Sequence, residues 1–218
     1  MHVLASAIWE QPSPIDRVFD KQVRVVTPED LKKSDASALV IWGGEDIATG
    51  LYNQSPAPQT DAGINMSKRD FLEVNLANMA ITMGMPIIGI CRGAQMMCAL
   101  SGGSLIQHVS NHAGHNHLMQ NKEGLRVMTN SVHHQMMNPF KVDHELIAWV
   151  PEKLSAVYIG DKGDPVEEAY EDTWLEPEIV WFPKTKALGI QGHPEFGSAR
   201  PPFIDYVNNL IKQYVLKL

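Results

Sequence analysis

Residues 86–100 read PIIGICRGAQMMCAL, and this stretch decides the fold. The apolar run at residues 86–90 predicts a buried strand, and a helix is expected to follow directly over residues 92–100. Between them, residues 89–93 have the form G-x-C-x-G, the cysteine counterpart of the G-x-S-x-G nucleophile elbow. Such a tight turn strains the backbone of Cys91 and leaves no room for bulky residues two positions away. The stretch therefore predicts a strand, an elbow and a helix that present Cys91 at the edge of a sheet.

Short apolar runs on either side of this stretch predict further buried strands. They lie at residues 3–8, 23–26, 38–42 and 187–193. Runs without alternating polar residues are typical of parallel strands that helices cover on both faces. A helix is expected to begin at Ser67, whose hydroxyl suits an N-cap, with Asp70 three positions on as an approximate capping box.

The second half of the chain is less regular. Short strands, several of them antiparallel, are expected at residues 125–129, 145–150, 155–160, 165–171 and 177–182. An amphipathic helix is expected to close the chain after residues 201–202. We therefore predict a single domain over residues 1–218. Its fold class is α/β and doubly wound: a mostly parallel sheet with helices on both faces and some antiparallel strands in the second half.

Composition narrows the classes of function. The 218 residues carry a formal net charge of -7, with 44% hydrophobic and 20% charged residues. Nucleic acid and anionic membranes require a basic surface, so neither is an expected partner. Two cysteines suit a reducing compartment, and the N-terminus lacks the basic segment of a signal peptide. No apolar run approaches the roughly 20 residues of a membrane span. A cytoplasmic protein that acts on small molecules is expected.

Cys91 is the candidate nucleophile. The helix that begins after it directs free N–H groups and the positive end of its dipole towards the sulfur, which favours the thiolate form. The alternative is an inert buried cysteine, the commoner fate of a lone Cys. The strand, elbow and helix around Cys91 favour the nucleophile. Cys98 lies seven positions further on the same helical face and is expected to be a core residue.

His193-Pro194-Glu195 supplies a candidate base and its orienting acid. Pro194 biases His193 towards extended backbone, in which residues two apart point to the same side. Glu195 can then hold one nitrogen of the imidazole while the other faces the sulfur. The tripeptide alone is weak, but it ends an apolar strand in a chain that already has an elbow. We predict a catalytic triad of Cys91, His193 and Glu195.

A glycine pair supplies a candidate oxyanion hole. Residues 41–46, IWGGED, end the third predicted strand. Glycine lets backbone N–H groups approach a ligand, and α/β folds bind ligands beside the carboxyl ends of their strands. We expect Gly43 to contact the substrate and the N–H groups of Gly44 and Arg92 to form the oxyanion hole. The alternative is an ordinary turn at the end of a strand. Glu45 and Asp46 either line the mouth of the pocket or are solvated loop carboxylates.

Histidines over residues 108–117 invite a metal-site interpretation, because imidazole is a common ligand. The tract has no fixed helical i,i+4 geometry, no cysteine lies near, and Gly114 interrupts it. We therefore expect no metal and no other cofactor. His133 and His134 fall nearer the expected pocket. Either a substrate contact or a structural hydrogen bond would account for them.

Together these segments resemble the class I glutamine amidotransferase superfamily, and in detail its γ-glutamyl hydrolase branch, the peptidase C26 family. The resemblance is carried by GGEDIATGLY (43–52), KRDFLE (68–73), PIIGICRGAQMMCALSGGSLIQ (86–107), NSVHHQ (130–135), VEEAYE (166–171) and GIQGHPEF (189–196). These segments span most of the chain. The resemblance implies a flavodoxin-like core and hydrolysis of a γ-glutamyl amide through a thioester on the nucleophile.

The resemblance also implies roles for residues that spacing alone does not reach. Gln95 matches a glutamine that helps to hold the amino-acid end of the substrate. Ser131 and Val132 match positions whose backbone binds the same group, and His133 follows them. Arg92 and the HHQ sequence resemble the hydrolase branch, whereas ammonia-supplying amidotransferases more often carry Leu at the position of Arg92.

Three functions remain open from the sequence. The first is a free-standing hydrolase of a small-molecule γ-glutamyl substrate, which Arg92 and the HHQ sequence favour. The second is a glutaminase subunit that delivers ammonia to a separate synthetase subunit, because no synthetase domain is present in residues 1–218. The third is a non-catalytic module that binds glutamine or a γ-glutamyl metabolite. A homo-oligomer is compatible with all three.

Overall fold

A computed structural model describes residues 1–7 and 18–218. In chain order the strands are β1 Val3–Ser6, β2 Lys21–Arg24, β3 Ala38–Ile41, β4 Ile87–Ile90, β5 Ser104–Ile106, β6 His108–Val109, β7 His117–Asn121, β8 Arg126–Thr129, β9 Met136–Asn138, β10 Glu145–Trp149, β11 Tyr158–Ile159, β12 Pro177–Phe182 and β13 Ala187–Ile190. The α-helices are α1 Pro28–Lys33, α2 Lys68–Thr82, α3 Arg92–Leu100 and α4 Pro201–Leu210. Short 3-10 helices cover Thr49–Tyr52, Asp161–Gly163 and Glu167–Tyr170, and α4 continues as π-helical turns over Ile211–Leu216.

A sheet of nine strands runs through this part of the chain in the order β2-β1-β3-β4-β13-β12-β10-β7-β8. The strands β2, β1, β3, β4 and β13 pair in parallel. From β12 to β8 every pairing is antiparallel. The predicted doubly wound α/β fold, with a parallel core and antiparallel strands from the second half, is confirmed.

Helices cover both faces of the parallel core, because alternate side chains of each strand point to opposite faces. On one face, Leu39 and Ile87 pack with buried residues of α2 and α3 such as Leu76 and Ala94. On the other face, Ile88 and its neighbours pack with α4. Strands that are buried on both faces explain why their sequences are continuous apolar runs.

The start of α2 is capped as predicted. Ser67 Oγ accepts a hydrogen bond from the Asp70 N–H at 3.0 Å, and the Asp70 carboxylate accepts one from the Ser67 N–H at 2.9 Å. The helix ends at Thr82, and Gly84 then takes a φ of +67°, which glycine tolerates best.

Two expectations for the second half need correction. The predicted strand at residues 165–171 is wrong: Glu167–Tyr170 forms a 3-10 helix, and only Pro165 makes an isolated bridge, to Ile159. The predicted strand at residues 155–160 is reduced to Tyr158–Ile159. The last residue of the predicted strand at residues 3–8 lies outside the described residues. No helix within residues 1–7 and 18–218 has both the length and the apolar character to cross a membrane.

Candidate active site

Cys91 lies at the elbow between β4 and α3. Its backbone has φ 49° and ψ −107°, an unfavourable conformation for a residue with a side chain. The neighbouring glycines make the turn possible. A Cβ on Gly93 would lie 2.0 Å from the carbonyl oxygen of Ile41, and one on Gly89 would lie 2.5 Å from the Gly93 backbone. The G-x-C-x-G spacing therefore has a steric cause, and it fixes Cys91 ahead of the first turn of α3.

The imidazole of His193 is held by Glu195, as the sequence predicts. His193 Nδ1 lies 2.7 Å from Glu195 Oε1. The other ring nitrogen, Nε2, is buried and makes no further hydrogen bond of full geometry among the described residues. Burial alone would lower the pKa of His193, but its interactions with Cys91 and Glu195 outweigh burial and raise this pKa to about 9.

Asn130 and Phe196 position His193, and reasoning from the sequence assigned neither a role. Asn130 accepts a hydrogen bond from the His193 N–H at 3.0 Å and donates one to its carbonyl oxygen at 2.8 Å. The ring of Phe196 stacks on the imidazole with ring centres 4.1 Å apart. A Cβ on Gly43 would lie 2.7 Å from His193 Cε1 and 3.5 Å from Cys91 Cβ. The imidazole is therefore held between close neighbours.

Arg69 fixes the glycine loop that follows β3. Its guanidinium donates to the carbonyl oxygens of Trp42 at 3.1 Å and Gly43 at 2.9 Å. No cis peptide occurs in the described residues, so the N–H of Gly44 points away from the Gly43 carbonyl that Arg69 holds. Gly44 itself has a φ of +151°, and a Cβ there would lie 2.1 Å from the Arg69 guanidinium. Arg69 therefore determines where the Gly44 N–H points, and the φ of +151° favours glycine at this position.

The side chain of Arg92 belongs to a buried ion-pair network. It is 2% exposed and pairs with Asp70 at 2.5 Å and with Glu73. Glu73 also pairs with Arg69 at 3.1 Å. The KRDFLE sequence at residues 68–73 therefore joins the first turn of α2, the first turn of α3 and the glycine loop.

A cavity of about 440 Å³ brings most of the predicted site residues together. It is lined by Trp42, Gly43, Gly44, Asp46, Cys91, Gln95, Val132, His133, His134, Gln135, His193, Glu195 and Phe196. Of the predicted set, Arg92 and Ser131 are not among these residues. Ser131 is buried, and its carbonyl oxygen accepts a hydrogen bond from the Gly114 N–H at 2.9 Å.

One wall of the cavity is built on the carbonyl oxygen of Gln135. The side-chain amides of Gln95 and Gln191 both donate to this oxygen at 3.1 Å. His133 Nδ1 lies 3.0 Å from it as well, so His133 makes the structural hydrogen bond that the sequence left as one of two alternatives. Gln95 is thus fixed at the cavity by a contact 40 residues away in the chain.

Asp46 and His134 form an ion pair at the cavity. Asp46 Oδ1 lies 3.0 Å from His134 Nε2, and Asp46 Oδ2 accepts hydrogen bonds from Thr60 Oγ1 at 2.9 Å and the Asp61 N–H at 3.0 Å. Burial would raise the pKa of Asp46, but these partners outweigh burial and lower it. Asp46 is therefore an ordered, ionised group in the cavity wall rather than a solvated loop carboxylate.

A second set of buried side chains could hold a metal ion. His112, His133 and Glu178 are buried and each offers a ligand atom, and these atoms all lie within 4.8 Å of one another. Only His112 belongs to the tract at residues 108–117 that suggested a metal site in the sequence. The other two come from residues 21 and 66 positions later in the chain.

Comparisons with known proteins agree with this architecture. A glutamine amidotransferase from Mycobacterium tuberculosis is 44% identical over 78 residues, which are 36% of this chain and 25% of that protein. The carbamoyl phosphate synthase small chain of Vibrio vulnificus is 24% identical over 98% of this chain and 49% of that one. The chain thus aligns with a quarter to a half of these relatives' own length.

A crystal structure of a GMP synthase subunit from Thermoplasma acidophilum has the same fold. It superposes with a TM-score of 0.62 at 13% sequence identity, and covers 100% of this chain and 95% of that one. The sequence profile of the peptidase C26 family matches residues 30–195, a span that includes the glycine loop, the elbow and the His193–Glu195 pair. The chain therefore belongs to the peptidase C26 family.

Proposed function

We propose that this protein is a cysteine-dependent hydrolase that cleaves a γ-glutamyl amide bond through a γ-glutamyl thioester. The observation that carries the proposal is the convergence on one cavity of an elbow cysteine, a histidine held by a carboxylate, and a glycine loop. Membership of the peptidase C26 family supports the same class of reaction. In this proposal Cys91, His193 and Glu195 are the catalytic triad.

In the acylation step the Cys91 sulfur attacks the γ-carbonyl carbon of the substrate. A C–S bond forms, and the carbonyl oxygen takes up negative charge that the N–H groups of Gly44 and Arg92 stabilise. A pKa of about 9 keeps His193 protonated near neutral pH. Its Nε2 proton is therefore available to the departing amine as the C–N bond breaks. The products of this step are the free amine and the thioester.

In the deacylation step the now neutral His193 acts as a base. It takes a proton from water, the resulting hydroxide attacks the thioester carbonyl, and the C–S bond breaks to release glutamate and the Cys91 thiolate. Glu195 holds Nδ1 throughout, so the same nitrogen, Nε2, both gives and accepts the proton. Deacylation therefore requires that water can enter the cavity once the amine has left.

The cavity wall supports a substrate with a γ-glutamyl end and an uncharged or cationic amine. We propose that Gly43, Gln95, Ser131, Val132 and His133 bind the amino-acid end, with Ser131, Val132 and His133 acting through backbone groups. Neither Lys nor Arg is among the described residues that line the cavity, and the two carboxylates there, those of Asp46 and Glu195, are each paired with a histidine. No cation among these lining residues is left to pair with a further carboxylate. This charge pattern, together with the net charge of -7, disfavours polyglutamates, which carry several carboxylates at the leaving end.

A second function is a glutaminase subunit that supplies ammonia to a separate synthetase. The observation in its favour is the alignment of 98% of the chain with a carbamoyl phosphate synthase small chain. The same triad chemistry would then act on glutamine, and a synthetase subunit would be the partner. The two functions differ in whether the isolated chain hydrolyses its substrate without a synthetase partner.

An activity panel on the isolated chain tests the proposal. The substrates are glutamine, γ-glutamyl amines, γ-glutamyl peptides and polyglutamates, with release of amine and glutamate measured for each. We expect turnover of γ-glutamyl amines without any partner, and little turnover of polyglutamates. Activity on glutamine that appears only after a synthetase is added would favour the second function. A chain that binds these compounds and hydrolyses none would be a binding module.

The two cysteines provide a matched control for the nucleophile. Cys91→Ala should abolish turnover, whereas Cys98→Ala should retain it, because Cys98 is fully buried in the core and away from the cavity lining. Rapid acid quenching and mass spectrometry should find the thioester on the peptide that contains residue 91. Unchanged hydrolysis by Cys91→Ala would refute the assignment.

A further inference from the structure

A buried cluster of histidines and glutamates lies outside the proposed chemistry. His112 follows β6, His117 is in β7, His133 precedes β9, and Glu178 is in β12. Glu178 and His112 are completely buried, and His133 is 2% exposed. Buried charges of this kind are costly unless a cation or hydrogen bonds compensate them. Glu178 therefore requires a compensating group.

The neighbouring carboxylate, Glu176, is compensated by the protein itself. It accepts hydrogen bonds from the N–H groups of Leu154 and Ser155 and from the Tyr158 hydroxyl, and it lies 3.2 Å from His112 Nε2. Glu178 has no comparable set of donors. Its Oε2 has no hydrogen-bond partner among the described residues, and its Oε1 faces only imidazole nitrogens.

Three imidazole nitrogens surround Glu178 Oε1. His112 Nδ1 lies at 3.5 Å, His133 Nε2 at 3.6 Å, and His117 Nε2 at 2.8 Å. The first two distances match the edge of a tetrahedron around a zinc ion, which is about 3.4 Å when metal–ligand bonds are about 2.1 Å. Both nitrogens are also buried and without a hydrogen-bond partner among the described residues. The short third distance is that of a hydrogen bond, through which His117 orients the carboxylate.

In both His112 and His133, one ring nitrogen faces Glu178 and the other faces away from it. The hydrogen-bond partner of the nitrogen that faces away shows which nitrogen has a lone pair free to bind an ion. His133 Nδ1 lies 3.0 Å from the Gln135 carbonyl oxygen, which can only accept, so Nδ1 carries the hydrogen. His112 Nε2 lies 3.2 Å from the Glu176 carboxylate, which also accepts, so Nε2 carries the hydrogen of His112. In the neutral imidazoles, His112 Nδ1 and His133 Nε2 therefore present lone pairs to Glu178. A metal-binding histidine commonly has this second contact, to a carboxylate or a carbonyl oxygen.

We propose that His112 Nδ1, His133 Nε2 and Glu178 bind one divalent metal ion of the zinc type. Two nitrogens and one carboxylate oxygen are a ligand set that suits Zn²⁺, and a bound dication compensates the buried carboxylate of Glu178. The ion has a structural role. It ties β12 to the segment that includes His133, whose neighbours Val132 and His134 line the cavity.

The competing explanation is a metal-free cluster with a protonated histidine. Burial lowers the pKa of His112, but hydrogen bonds and charge from Glu176 and Glu178 outweigh burial and raise it to about 9. A proton on His112 Nδ1 would also satisfy Glu178. The two explanations differ in one measurable quantity, the metal content of the folded chain.

Metal analysis of the purified full chain tests the proposal. After expression in medium supplemented with Zn²⁺ and extensive dialysis, we expect roughly one zinc ion per chain. Glu178→Gln and His133→Gln should lose the ion. His115→Gln is the matched control, because His115 belongs to the same tract but its side chain is exposed, and it should retain the ion. Replacement by Co²⁺ should give the visible absorption of a tetrahedral site.

Chelation provides a second readout that does not depend on any variant. Removal of the ion from wild type should lower the thermal midpoint, and added Zn²⁺ should restore it. If the variants fail to fold, two measurements on wild type still test the proposal: its zinc content, and the recovery of its thermal midpoint when Zn²⁺ is added. Purified wild type that holds no zinc, does not bind it on titration and keeps its midpoint in chelator would overturn the proposal. None of these measurements uses hydrolytic activity, so the result is independent of the proposed reaction.

Discussion

Arg69 donates a hydrogen bond to the carbonyl oxygen of Gly43 at 2.9 Å, and this contact orients the peptide that ends in the Gly44 N–H. The guanidinium is itself held by Glu73, which also pairs with the buried Arg92. One network therefore links the glycine loop to the first turn of the helix that follows Cys91. In the proposed reaction the two oxyanion donors, the N–H groups of Gly44 and Arg92, are joined through this network.

Replacement of Arg69 by Met tests whether this orientation matters. Arg69 is a positioning residue, since its side chain holds carbonyl oxygens and not the substrate. Loss of an oxyanion donor in other enzymes costs about 10²- to 10³-fold in kcat, and misplacement of one should cost somewhat less. We expect Arg69→Met to lower kcat by roughly tenfold to a hundredfold and to change KM little, as measured with a γ-glutamyl amine.

Two further variants separate positioning from a loss of stability. Lys68→Met changes the adjacent, exposed residue of the same helix and should leave kcat unchanged. Arg69→Lys keeps the charge but not the planar guanidinium, so it should recover only part of the rate. An Arg69→Met enzyme with full kcat would show that the glycine loop keeps its orientation without this contact.

The pH dependence of kcat/KM should report on His193. Acylation needs a proton on Nε2, and the pKa of His193 is about 9, so kcat/KM should decline as the pH rises through about 9. Initial rates between pH 6 and 10 measure this decline, the alkaline limb of the pH profile. Glu195→Gln removes one of the charges that raise the pKa, so its limb should move to lower pH. A limb at the same pH in both enzymes would contradict the assignment to His193.

The same shift predicts how stability depends on pH. The pKa of His193 is higher in the folded chain, about 9, than the ordinary value of 6.5. The folded state therefore binds the proton more tightly, and the stabilisation is complete below about pH 6.5 and lost as the pH rises through about 9. Urea unfolding of wild type and His193→Gln should show a difference in unfolding free energy that shrinks over this range. A difference that is constant with pH would contradict the prediction.

Glu195 should matter less than the histidine it orients. A positioned general acid and base contributes about 10²- to 10⁴-fold, so we expect a loss of this size for His193→Gln. Glu195→Gln keeps a side chain that can accept from His193 Nδ1, and should cost less than His193→Gln in kcat. Glu167→Gln, at an exposed position of the second half, is the control and should retain wild-type kcat. Equal losses in the first two variants would show that orientation alone accounts for the role of the histidine.

The sequence could predict the parts of the site whose causes are local. The turn at Cys91 needs glycine at positions 89 and 93, because added Cβ atoms there would collide with backbone atoms. The five residues of the G-x-C-x-G motif are therefore enough to predict it. The Ser67 cap is equally local. The strand predicted at residues 165–171 was wrong because the apolar residues of PVEEAYE, namely Val166, Ala169 and Tyr170, have the i, i+3, i+4 spacing of a helix, and Glu167–Tyr170 forms a 3-10 helix.

Other parts depend on contacts between residues that are far apart in the chain. Arg69 meets Gly43 across 26 residues, and Asn130 meets His193 across 63. His112, His133 and Glu178 come together only because β12 is central in the sheet and the segments with the histidines fold over it. The histidine-rich tract at residues 108–117 draws attention to His112, but no local pattern indicates the partner of any of these side chains.

Replacement of Arg92 by Leu should destabilise the fold far more than loss of a surface ion pair. Arg92 is the buried partner of Asp70 and Glu73, whose side chains are each 2% exposed. Its removal leaves both carboxylates buried without that cation, at a cost of about 3–5 kcal/mol in unfolding free energy. Lys33→Met breaks the exposed Lys33–Glu29 pair and should cost at most about 1 kcal/mol. Urea unfolding measures both, and equal effects would contradict the prediction. Adding Asp70→Asn to Arg92→Leu should recover part of the loss, because Glu73 keeps its pair with Arg69 whereas Asp70 has no second cation among the described residues.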